Sequence, residues 1–309
     1  MPLNTRELTV FAPAKINLHL DIKDKRDDGF HNIESVFLAV DFCDFLHFQF
    51  NLKDQDEDCI IELDKTDADF FDVPMKENII YKAVTIFRRN TGFSDSVKIR
   101  LEKNIPSGGG LGGGSSDAAA ALMALNEAAG FPLKREALLE MGSALGSDVP
   151  FFLYKIPAAV VTGRGEIINP VKLPLMNLTL VNPGFKSNTA EAFKLLDENR
   201  RSFKIIDETA DCKPILQKLN VKPNGIRGKF NINNFSFLNS FLPVFNEREK
   251  SIYNEIISSL KHSGALFAGL SGSGSTCFGI FSDQKLAEKT NGLLSKKWCF
   301  VKTTKTYYM

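Results

Sequence analysis

Residues 106–117 read Pro-Ser-Gly-Gly-Gly-Leu-Gly-Gly-Gly-Ser-Ser-Asp, and this stretch constrains the fold more than any other. Six glycines in seven residues are unfavourable inside a helix or strand, because each glycine gives up backbone entropy and offers no side chain to pack. Residues 97–102 before it alternate apolar and charged side chains, which predicts a half-buried strand. Residues 118–129 after it predict an alanine-rich helix with Ser115 or Ser116 as its cap.

A strand that leads through a glycine loop into a helix N-terminus is typical of a phosphate site, since free N–H groups and the helix dipole favour an anion. A Walker A loop requires a Lys after its last glycine, and none follows here. A glycine run matches a dinucleotide fingerprint trivially, but the preceding strand should then be apolar on both faces. A flexible linker seldom ends in a capped helix. The sequence therefore predicts a phosphate-binding loop at residues 106–116.

Length and composition narrow the class of protein. A chain of 309 residues exceeds what one core usually covers, which predicts two domains. Hydrophobic content of 43% and charged content of 24% are typical of a globular enzyme, and a net charge of +1 argues against nucleic-acid or membrane-surface binding. Five cysteines without a C-x-x-C pair suit a reducing compartment, so we expect a cytoplasmic protein. The longest apolar run is too short to cross a bilayer, so we expect no membrane association.

The strand predicted at residues 10–22 carries Lys15 and Asn17 on its polar face, two positions apart and pointing the same way. On this strand alone, a solvated sheet face is the simpler interpretation. A charged hairpin tip then leads to Phe30 and His31. These two side chains either stack on and hydrogen-bond a base or anchor a loop, and the sequence favours neither alternative.

Asp148 lies between the end of a helix predicted at residues 132–145 and an apolar run. A carboxylate there either caps a helix or is a positioned base, since a buried acid needs a partner. Lys15 is the partner that we expect. The Gly/Ser segment at residues 271–275 lacks the closing glycine and the partner His of a nucleophile elbow. We interpret it as a second anion-facing loop rather than a mere tight turn.

The remaining patterns complete a mixed helix and strand order. Two prolines after residue 168 suggest a hinge, so we place the boundary between domains 1–168 and 169–309 there. The second half has the order of an open, ferredoxin-like α+β sandwich. Further strands are predicted at 33–40, 45–52, 178–181 and 298–303, further helices at 78–89, from Thr189, at 247–261 and from Asp283, and a solvated acidic loop at 54–72.

Five segments together resemble the GHMP kinase superfamily in order and spacing. They are Pro-Ala-Lys-Ile-Asn-Leu at 13–18, Asp-Gly-Phe-His at 28–31, the glycine loop at 106–116, Gly-Ser-Asp-Val-Pro at 146–150 and Leu-Ser-Gly-Ser-Gly at 270–274. The resemblance spans nearly the whole chain. It implies an α+β, two-domain GHMP kinase fold, with a ribosomal protein S5 domain 2-like, ATP-binding N-terminal domain (1–168) and a ferredoxin-like C-terminal domain (169–309). Residue 30 is Phe where family members usually have Tyr, which keeps the stacking ring and drops a hydroxyl.

The resemblance implies ATP-dependent phosphorylation of the 2-hydroxyl of cytidine diphosphate-linked methylerythritol, in the non-mevalonate route to isoprenoid precursors. That small molecule is the expected partner, for a monomer or a homodimer. The alternatives are a kinase for another small alcohol, mevalonate- or homoserine-like, and a nucleotide-binding regulator without catalysis. The Phe30-His31 pair argues against the first alternative, and the presence of both Lys15 and Asp148 argues against the second.

The resemblance also implies roles for individual residues. Asp148 takes the proton from the attacking hydroxyl, and Lys15 keeps Asp148 ionised and stabilises charge on the nucleophile. Mg²⁺ is expected with ATP, held largely by phosphates and water, with no protein ligands identified. The residues expected around the ATP phosphates are Pro106, Ser107, Gly108, Gly109, Gly110, Leu111, Gly112, Gly113, Gly114, Ser115 and Ser116; near the adenosine, Lys103 and Asn78; stacking on the cytosine, Phe30 and Phe193; and hydrogen-bonding the substrate, His31, Asn17 and Thr189.

Overall fold

The computed structural model describes residues 6–51, 59–63, 74–202, 221–222, 225–226 and 237–308. Contacts between residues divide the chain into two compact units, each built from separate segments. The first unit comprises Met1–Ala14, Phe42–Ser107 and Gly112–Lys155, and the second comprises Lys15–Asp41, Gly108–Leu111 and Ile156–Met309. The domain boundary after residue 168 stays a prediction.

The described residues form mixed helix and strand structure, which confirms the predicted α+β class. The strands are β1 (Arg6–Lys25), β2 (His31–Phe50), β3 (Cys59–Leu63), β4 (Val97–Glu102), β5 (Ala158–Thr162), β6 (Ile167–Pro170), β7 (Asn177–Asn182), β8 (Val221–Lys222), β9 (Gly225–Ile226), β10 (Phe267–Leu270), β11 (Cys277–Phe281) and β12 (Phe300–Lys305). The helices are α1 (Ile79–Thr91), α2 (Gly113–Ala128), α3 (Arg135–Leu145), α4 (Val149–Leu153), α5 (Thr189–Ser202), α6 (Glu247–His262) and α7 (Gln284–Leu294), preceded by a 3-10 turn at Met75–Glu77.

Strand β4 is central to the first unit. It pairs parallel with β3 and antiparallel with the second half of β2, where Phe45 lies opposite Glu102 and Phe50 opposite Val97. Its alternate residues Val97, Ile99 and Leu101 are buried, as the alternation predicted. Helix α2 packs against α1 and α4, and its run of alanines is buried because small side chains let neighbouring helices approach closely.

The second unit contains an antiparallel sheet in the order β10-β11-β7-β12. Its core gathers Phe241, Tyr253, Ile256, Leu260 and Phe281, all nearly inaccessible to solvent, from helix α6 and the surrounding strands and loops. The first half of β2 belongs to the same unit and pairs antiparallel with β5, which in turn pairs with β6. The four-stranded sheet carries the loop at residues 271–275 between β10 and β11.

Three predicted elements need correction. The strands predicted at 33–40 and 45–52 are one strand, β2, because Asp44 is paired in the interior and does not interrupt it. The acidic loop predicted at 54–72 contains strand β3, and its remaining residues lie outside the described ones. The helix predicted from residue 132 begins only at Arg135. Most of the polar segment between residues 203 and 236, including its asparagines, also lies outside the described residues.

Candidate active site

Helix α2 begins inside the predicted glycine loop. Its first residue is Gly113, and the residue before it, Gly112, has a left-handed φ of 69° and makes no side-chain cap. Ser115 and Ser116 lie within the first turn, so the prediction that either serine caps the helix is wrong. Glycine at the cap position turns the chain without a side chain, and the first-turn N–H groups are left without a side-chain cap. Uncapped N–H groups at a helix N-terminus are suited to binding an anion.

A buried group of three charges lies beneath this helix start in the first unit. The Lys103 ammonium forms an ion pair with Asp44 Oδ2 and lies 3.0 Å from Asp117 Oδ2. These side chains are 8%, 0% and 3% exposed, in that order. Asp44 Oδ1 also accepts from the backbone N–H groups of Asn104 and Ile105 at 2.6 and 2.7 Å. The Lys103 ammonium is therefore engaged by protein carboxylates, while its predicted place near the adenosine stays a prediction.

One ammonium between two buried carboxylates leaves an excess of negative charge. Burial raises the pKa of Asp117 to about 7, against the opposing effect of the Lys103 charge. For Lys103 itself, burial lowers the pKa, but the charges of Asp117 and Asp44 outweigh that effect and raise it overall. Asp117 Oδ1 and Ser116 Oγ are buried and have no hydrogen-bond partner among the described residues. A carboxylate oxygen that is desolvated and unpaired favours the protonated form.

Gly113 lets the first turn of α2 approach this group. A Cβ at this position would lie 2.9 Å from Lys103 Nζ and 3.0 Å from Ile105 Cγ2, closer than side chains normally allow. Asn78 is the cap of helix α1: its Oδ1 accepts from the N–H of Ile80 at 2.8 Å, and the residue is 8% exposed. Its predicted place near the adenosine also stays a prediction, with Oδ1 already used by the helix.

Asp148 directly precedes the short helix α4 and is half-buried. It occupies the cap position, but its side chain makes no capping hydrogen bond. The interpretation of this carboxylate as a helix cap is therefore wrong, and its role as a positioned base stays a prediction. Asp148 belongs to the first unit and Lys15 to the second, so their pairing stays a prediction.

In the second unit, protein donors hold four consecutive carbonyl groups of the glycine loop. The carbonyl oxygens of Gly108–Leu111 accept, in chain order, from Ser187 N at 2.9 Å, Thr276 N at 3.1 Å, Ser271 Oγ at 2.8 Å and Lys15 N at 2.9 Å. In a trans peptide the C=O and N–H groups point in opposite directions. The N–H groups of residues 109–112 therefore point away from these donors, as a phosphate cradle requires.

The Gly/Ser loop at 271–275 supports the glycine loop through backbone contact. Gly110 has a φ of 73°, and a Cβ on it would lie 2.2 Å from the Ser271 carbonyl oxygen and 2.8 Å from that of Gly274. Only glycine permits this approach. Ser273 Oγ lies 2.9 Å from Thr189 Oγ1, which ties the same loop to the start of helix α5. An anion-binding role of residues 271–275 stays a prediction.

We expect Gly110→Ala to lower the free energy of unfolding by at least about 1–2 kcal/mol, the cost of a left-handed conformation for a residue with a Cβ. ATP affinity, measured by calorimetry on the folded fraction, should fall as well, because the loop must shift to relieve the contact with Ser271. The control is Gly292→Ala on helix α7, where a Cβ meets nothing within 4 Å. Unchanged stability and ATP affinity in Gly110→Ala would contradict the role of this contact.

The polar face of strand β1 is buried, so its interpretation as a solvated face is wrong. Lys15 and Asn17 are each 4% exposed, and Lys15 Nζ donates to Asn17 Oδ1 at 2.6 Å. The ammonium also lies 4.5 Å from the ring centroid of Phe37. Asn17 Nδ2 donates to Ser35 Oγ at 2.9 Å, and the Asn17 N–H donates to Ser271 Oγ at 3.2 Å. A buried ammonium needs polar partners, and the Asn17 amide oxygen is one of them.

Phe30 and His31, adjacent in sequence, differ in exposure. Phe30 is 49% exposed, with the Arg164 guanidinium carbon 5.1 Å from its ring centroid. His31 is buried, its ring stacked on Phe193 at a centroid distance of 5.0 Å and an interplanar angle of 20°. The Nε2 atom of His31 lies 2.7 Å from Asp197 Oδ1. The Phe30 ring is therefore about half-exposed, whereas His31 is held in the fold by two contacts, and the place of Phe30 against a base stays a prediction.

The sequence analysis did not single out three acidic residues, Asp44 and Asp117 in the first unit and Asp197 in the second. Asp117 directly follows the predicted loop, and Asp197 is four residues after Phe193 and therefore on the same helix face, so both carried a local signal. Asp44 carried none, because its partner Lys103 is 59 positions away along the chain. Among the described residues, no helix is long and apolar enough to span a bilayer.

Comparison with known proteins identifies the family. Residues 78–155 match the GHMP kinases N terminal domain, and residues 231–293 match the GHMP kinases C terminal family. The 4-diphosphocytidyl-2-C-methyl-D-erythritol kinase of Thermodesulfovibrio yellowstonii is 36% identical over 304 residues, which cover 96% of this chain and 98% of that protein.

Solved structures agree with this relationship. A crystal structure of 4-(cytidine 5'-diphospho)-2C-methyl-D-erythritol kinase matches with a TM-score of 0.74 at 26% identity, covering 96% of this chain and 98% of the other. L. major mevalonate kinase in complex with R-mevalonate matches with a TM-score of 0.71 at 13% identity over 100% of this chain and 98% of the other, which shows a shared fold alone. The predicted GHMP kinase fold is thereby confirmed, and the chain belongs to the family of 4-diphosphocytidyl-2-C-methyl-D-erythritol kinases within the ATP-dependent GHMP kinases.

Proposed function

We propose that this chain transfers the γ-phosphoryl group of ATP to the 2-hydroxyl of 4-diphosphocytidyl-2-C-methyl-D-erythritol and releases ADP. The names of its relatives support this substrate. One observation in the structure carries the proposal: the backbone N–H of Lys15 donates to Leu111 O in the glycine loop, while its buried ammonium is held by Asn17. Phosphoryl transfer asks a protein mainly for positioning and charge neutralisation, and this arrangement supplies both.

The glycine loop binds the ATP phosphates in this proposal. The N–H groups of residues 109–112 and of the uncapped first turn of α2 are the donors. Backbone donors held by a rigid fold need no reorganisation when charge develops on the transferring group. Pro106, Ser107 and the serines of the first turn complete the loop that surrounds the phosphates.

Asp148 acts as the general base. As the 2-hydroxyl oxygen attacks the γ-phosphorus, Asp148 takes the hydroxyl proton, the new O–P bond forms, and the bond to the β-phosphate oxygen breaks to release ADP. Lys15 stabilises the negative charge on the nucleophile and favours ionised Asp148. The half-buried position of Asp148 directly before helix α4 is the observation that supports this role.

Mg²⁺ accompanies ATP in this proposal, held mainly by phosphate oxygens and water. In the part of the chain that the structure describes, no three His, Cys, Asp or Glu side chains come together as a metal site. The acidic pair Asp44 and Asp117 is already bound to Lys103. The ion supplies neutralisation of phosphate charge when bound.

The substrate cytosine stacks on Phe30, whose ring is the exposed aromatic surface next to His31. Phe193 stacks on His31 at a centroid distance of 5.0 Å, and we assign both side chains to the cytosine pocket. Asn17 and Thr189 hydrogen-bond other parts of the substrate. Cytoplasmic location and a monomeric or dimeric state stay predictions.

An ADP-release assay across alcohols tests the proposed function. The cytidylyl alcohol should be turned over with a kcat/KM at least about 10²-fold above that for mevalonate or homoserine, because a site built for a base leaves polar groups unpaired without one. Preferred turnover of either small alcohol would contradict the substrate assignment while leaving a kinase, and no ADP release with any alcohol would favour a nucleotide-binding regulator.

Phe30→Ala should raise KM for the cytidylyl substrate roughly 5- to 150-fold, since base stacking is worth about 1–3 kcal/mol. KM for ATP should not change. The control is Phe131→Ala, which removes another exposed phenylalanine, 67% exposed, from the first unit. Equal effects of Phe30→Ala on both KM values, together with a lower melting temperature, would indicate a loop anchor instead of a base platform.

A further inference from the structure

One face of helix α5 contacts His31 at the start of strand β2 and the loop at residues 271–275. Thr189, Phe193 and Asp197 follow one another at intervals of four residues, so they lie on the same helix face. Thr189 contacts Ser273, Phe193 stacks on His31, and Asp197 hydrogen-bonds the same histidine. His31 is therefore held by α5 in two ways, by ring stacking and by a carboxylate.

Asp197 is placed to act on the protonation pattern of His31. Its Oδ1 lies 2.7 Å from His31 Nε2, and its Oδ2 lies 2.7 Å from Lys25 Nζ. Burial pushes the pKa of Asp197 upwards, but the hydrogen bonds from Lys25 and His31 outweigh this effect and hold that pKa below its ordinary value. An ionised carboxylate only accepts hydrogen bonds, so Nε2 of His31 must carry the proton.

The other ring nitrogen is left as a hydrogen-bond acceptor. In a neutral imidazole with its proton on Nε2, Nδ1 carries a lone pair and no proton. His31 Nδ1 has no hydrogen-bond partner among the described residues, where the ring bonds only through Nε2. His31 as a whole is 6% exposed.

We propose that Asp197 is a positioning residue that fixes the Nε2–H tautomer of His31, so that Nδ1 selects a cytosine over a uracil in the substrate. This inference rests on the proposed function, because it takes a cytidine diphosphate-linked alcohol as the substrate. Cytosine presents an exocyclic amine, a donor, where uracil presents a carbonyl oxygen, an acceptor. Nδ1 accepts a hydrogen bond from the cytosine amine. With uracil, the Nδ1 lone pair would face the lone pairs of the carbonyl oxygen, and this contact between two acceptors is unfavourable.

The opposite tautomer would not discriminate in this way. A proton on Nδ1 can be donated to cytosine N3 or to the uracil carbonyl, so either base would find a partner. By accepting the hydrogen bond from His31 Nε2, Asp197 therefore makes the His31 side chain selective for cytosine. The ion pair between Asp197 and Lys25 has a different consequence, because it anchors α5 to the end of β1 without touching the ring. The two bonds of Asp197 can therefore be tested separately.

Asp197→Asn tests the tautomer directly. An asparagine amide presents both an acceptor oxygen and a donor nitrogen, so it no longer enforces one tautomer, as the corresponding Asp→Asn change shows in the Ser-His-Asp triad. The assay compares kcat/KM for the cytidine and uridine diphosphate-linked methylerythritols at pH 8, where an imidazole in water is neutral. Wild type should prefer the cytidylyl substrate by about 5- to 150-fold, the equivalent of about 1–3 kcal/mol for a base contact.

In Asp197→Asn this preference should fall at least about 5-fold, through a higher KM for the cytidylyl substrate with kcat and the KM for ATP unchanged. The control is Lys25→Met, which keeps the aliphatic stem and removes the ion pair. Its preference should stay within about twofold of wild type, since an exposed ion pair contributes little. A preference that falls equally in Lys25→Met, or not at all in Asp197→Asn, would overturn the inference.

A second measurement does not depend on turnover. The ¹⁵N and ¹H resonances of the His31 ring in the ligand-free wild type should show a protonated Nε2 and an unprotonated Nδ1, and Asp197→Asn should shift this pattern towards a mixture. A wild-type ring protonated on Nδ1 would overturn the inference, even if Asp197→Asn does not fold. Failure of wild type to phosphorylate either nucleotide alcohol would overturn the proposed function along with it, whereas turnover with an unchanged preference in Asp197→Asn would overturn this inference alone.

Discussion

Asp148→Asn should lower kcat by about 10²-fold or more, the usual contribution of a general base, while ATP binds with nearly unchanged affinity. Asparagine has almost the same shape as aspartate but cannot take the proton from the substrate hydroxyl. The substitution removes no helix cap, because the Asp148 side chain makes no capping hydrogen bond with helix α4, so we expect the chain to stay folded with a similar melting temperature. Steady-state kinetics, calorimetric titration with ATP and thermal melting together measure these three quantities.

Asp283→Asn is the matched control for this substitution. Asp283 also lies at a helix cap, but its Oδ1 accepts from the N–H of Leu286 at 2.9 Å, and asparagine can keep that bond. Its kcat should equal that of wild type. If Asp148→Asn retained turnover within a few-fold of wild type, Asp148 would be removed from the mechanism. A large fall in melting temperature would assign it a structural role instead.

Lys103→Met should lower the free energy of unfolding by about 3–5 kcal/mol, because it leaves buried carboxylates without their counter-charge. Asp44 and Asp117 are 0% and 3% exposed and share this one ammonium. Chemical denaturation measures the change. The control is Lys98→Met on the same strand, since Lys98 pairs with Glu62 at 2.8 Å where both side chains are partly exposed. That pair should contribute less than about 1 kcal/mol.

A comparison of stability against pH between wild type and Asp117→Asn should show whether the buried Lys103 group carries an excess of negative charge. The folded chain holds the Asp117 proton up to a pKa of about 7, against 3.8 for an ordinary aspartate in the unfolded chain. Stability therefore falls as pH rises between these values, because the unfolded state releases its proton first. Asparagine cannot ionise, so the variant should match wild type near pH 4 and be more stable at pH 8 by roughly 4 kcal/mol, since the shift spans about three pKa units and each is worth about 1.4 kcal/mol. A variant less stable than wild type at pH 8 would contradict the raised pKa.

The sequence by itself determined those features that depend on neighbours along the chain. The alternation in residues 97–102 predicted β4 with its bounds, and the helix predicted at 78–89 corresponds to α1 at Ile79–Thr91. The glycine loop and the short motifs around Lys15, His31 and Asp148 indicated the kinase family that the comparisons identify. Periodicity, caps and glycine runs act within a few residues, so they can be read without knowing what lies across the fold.

Only the tertiary structure decided what surrounds these residues. Lys15 and Asn17 alternate with apolar residues as a solvated strand would, yet they are buried against Phe37 and Ser35. Asp44 is an interior partner of Lys103, 59 positions away, and Gly110 must be glycine because of the backbone of Ser271, 161 positions away. A local pattern states which residues share a face, but not what covers that face. Burial and charge pairing are set by segments distant in sequence, and these decide which polar side chains become chemically useful.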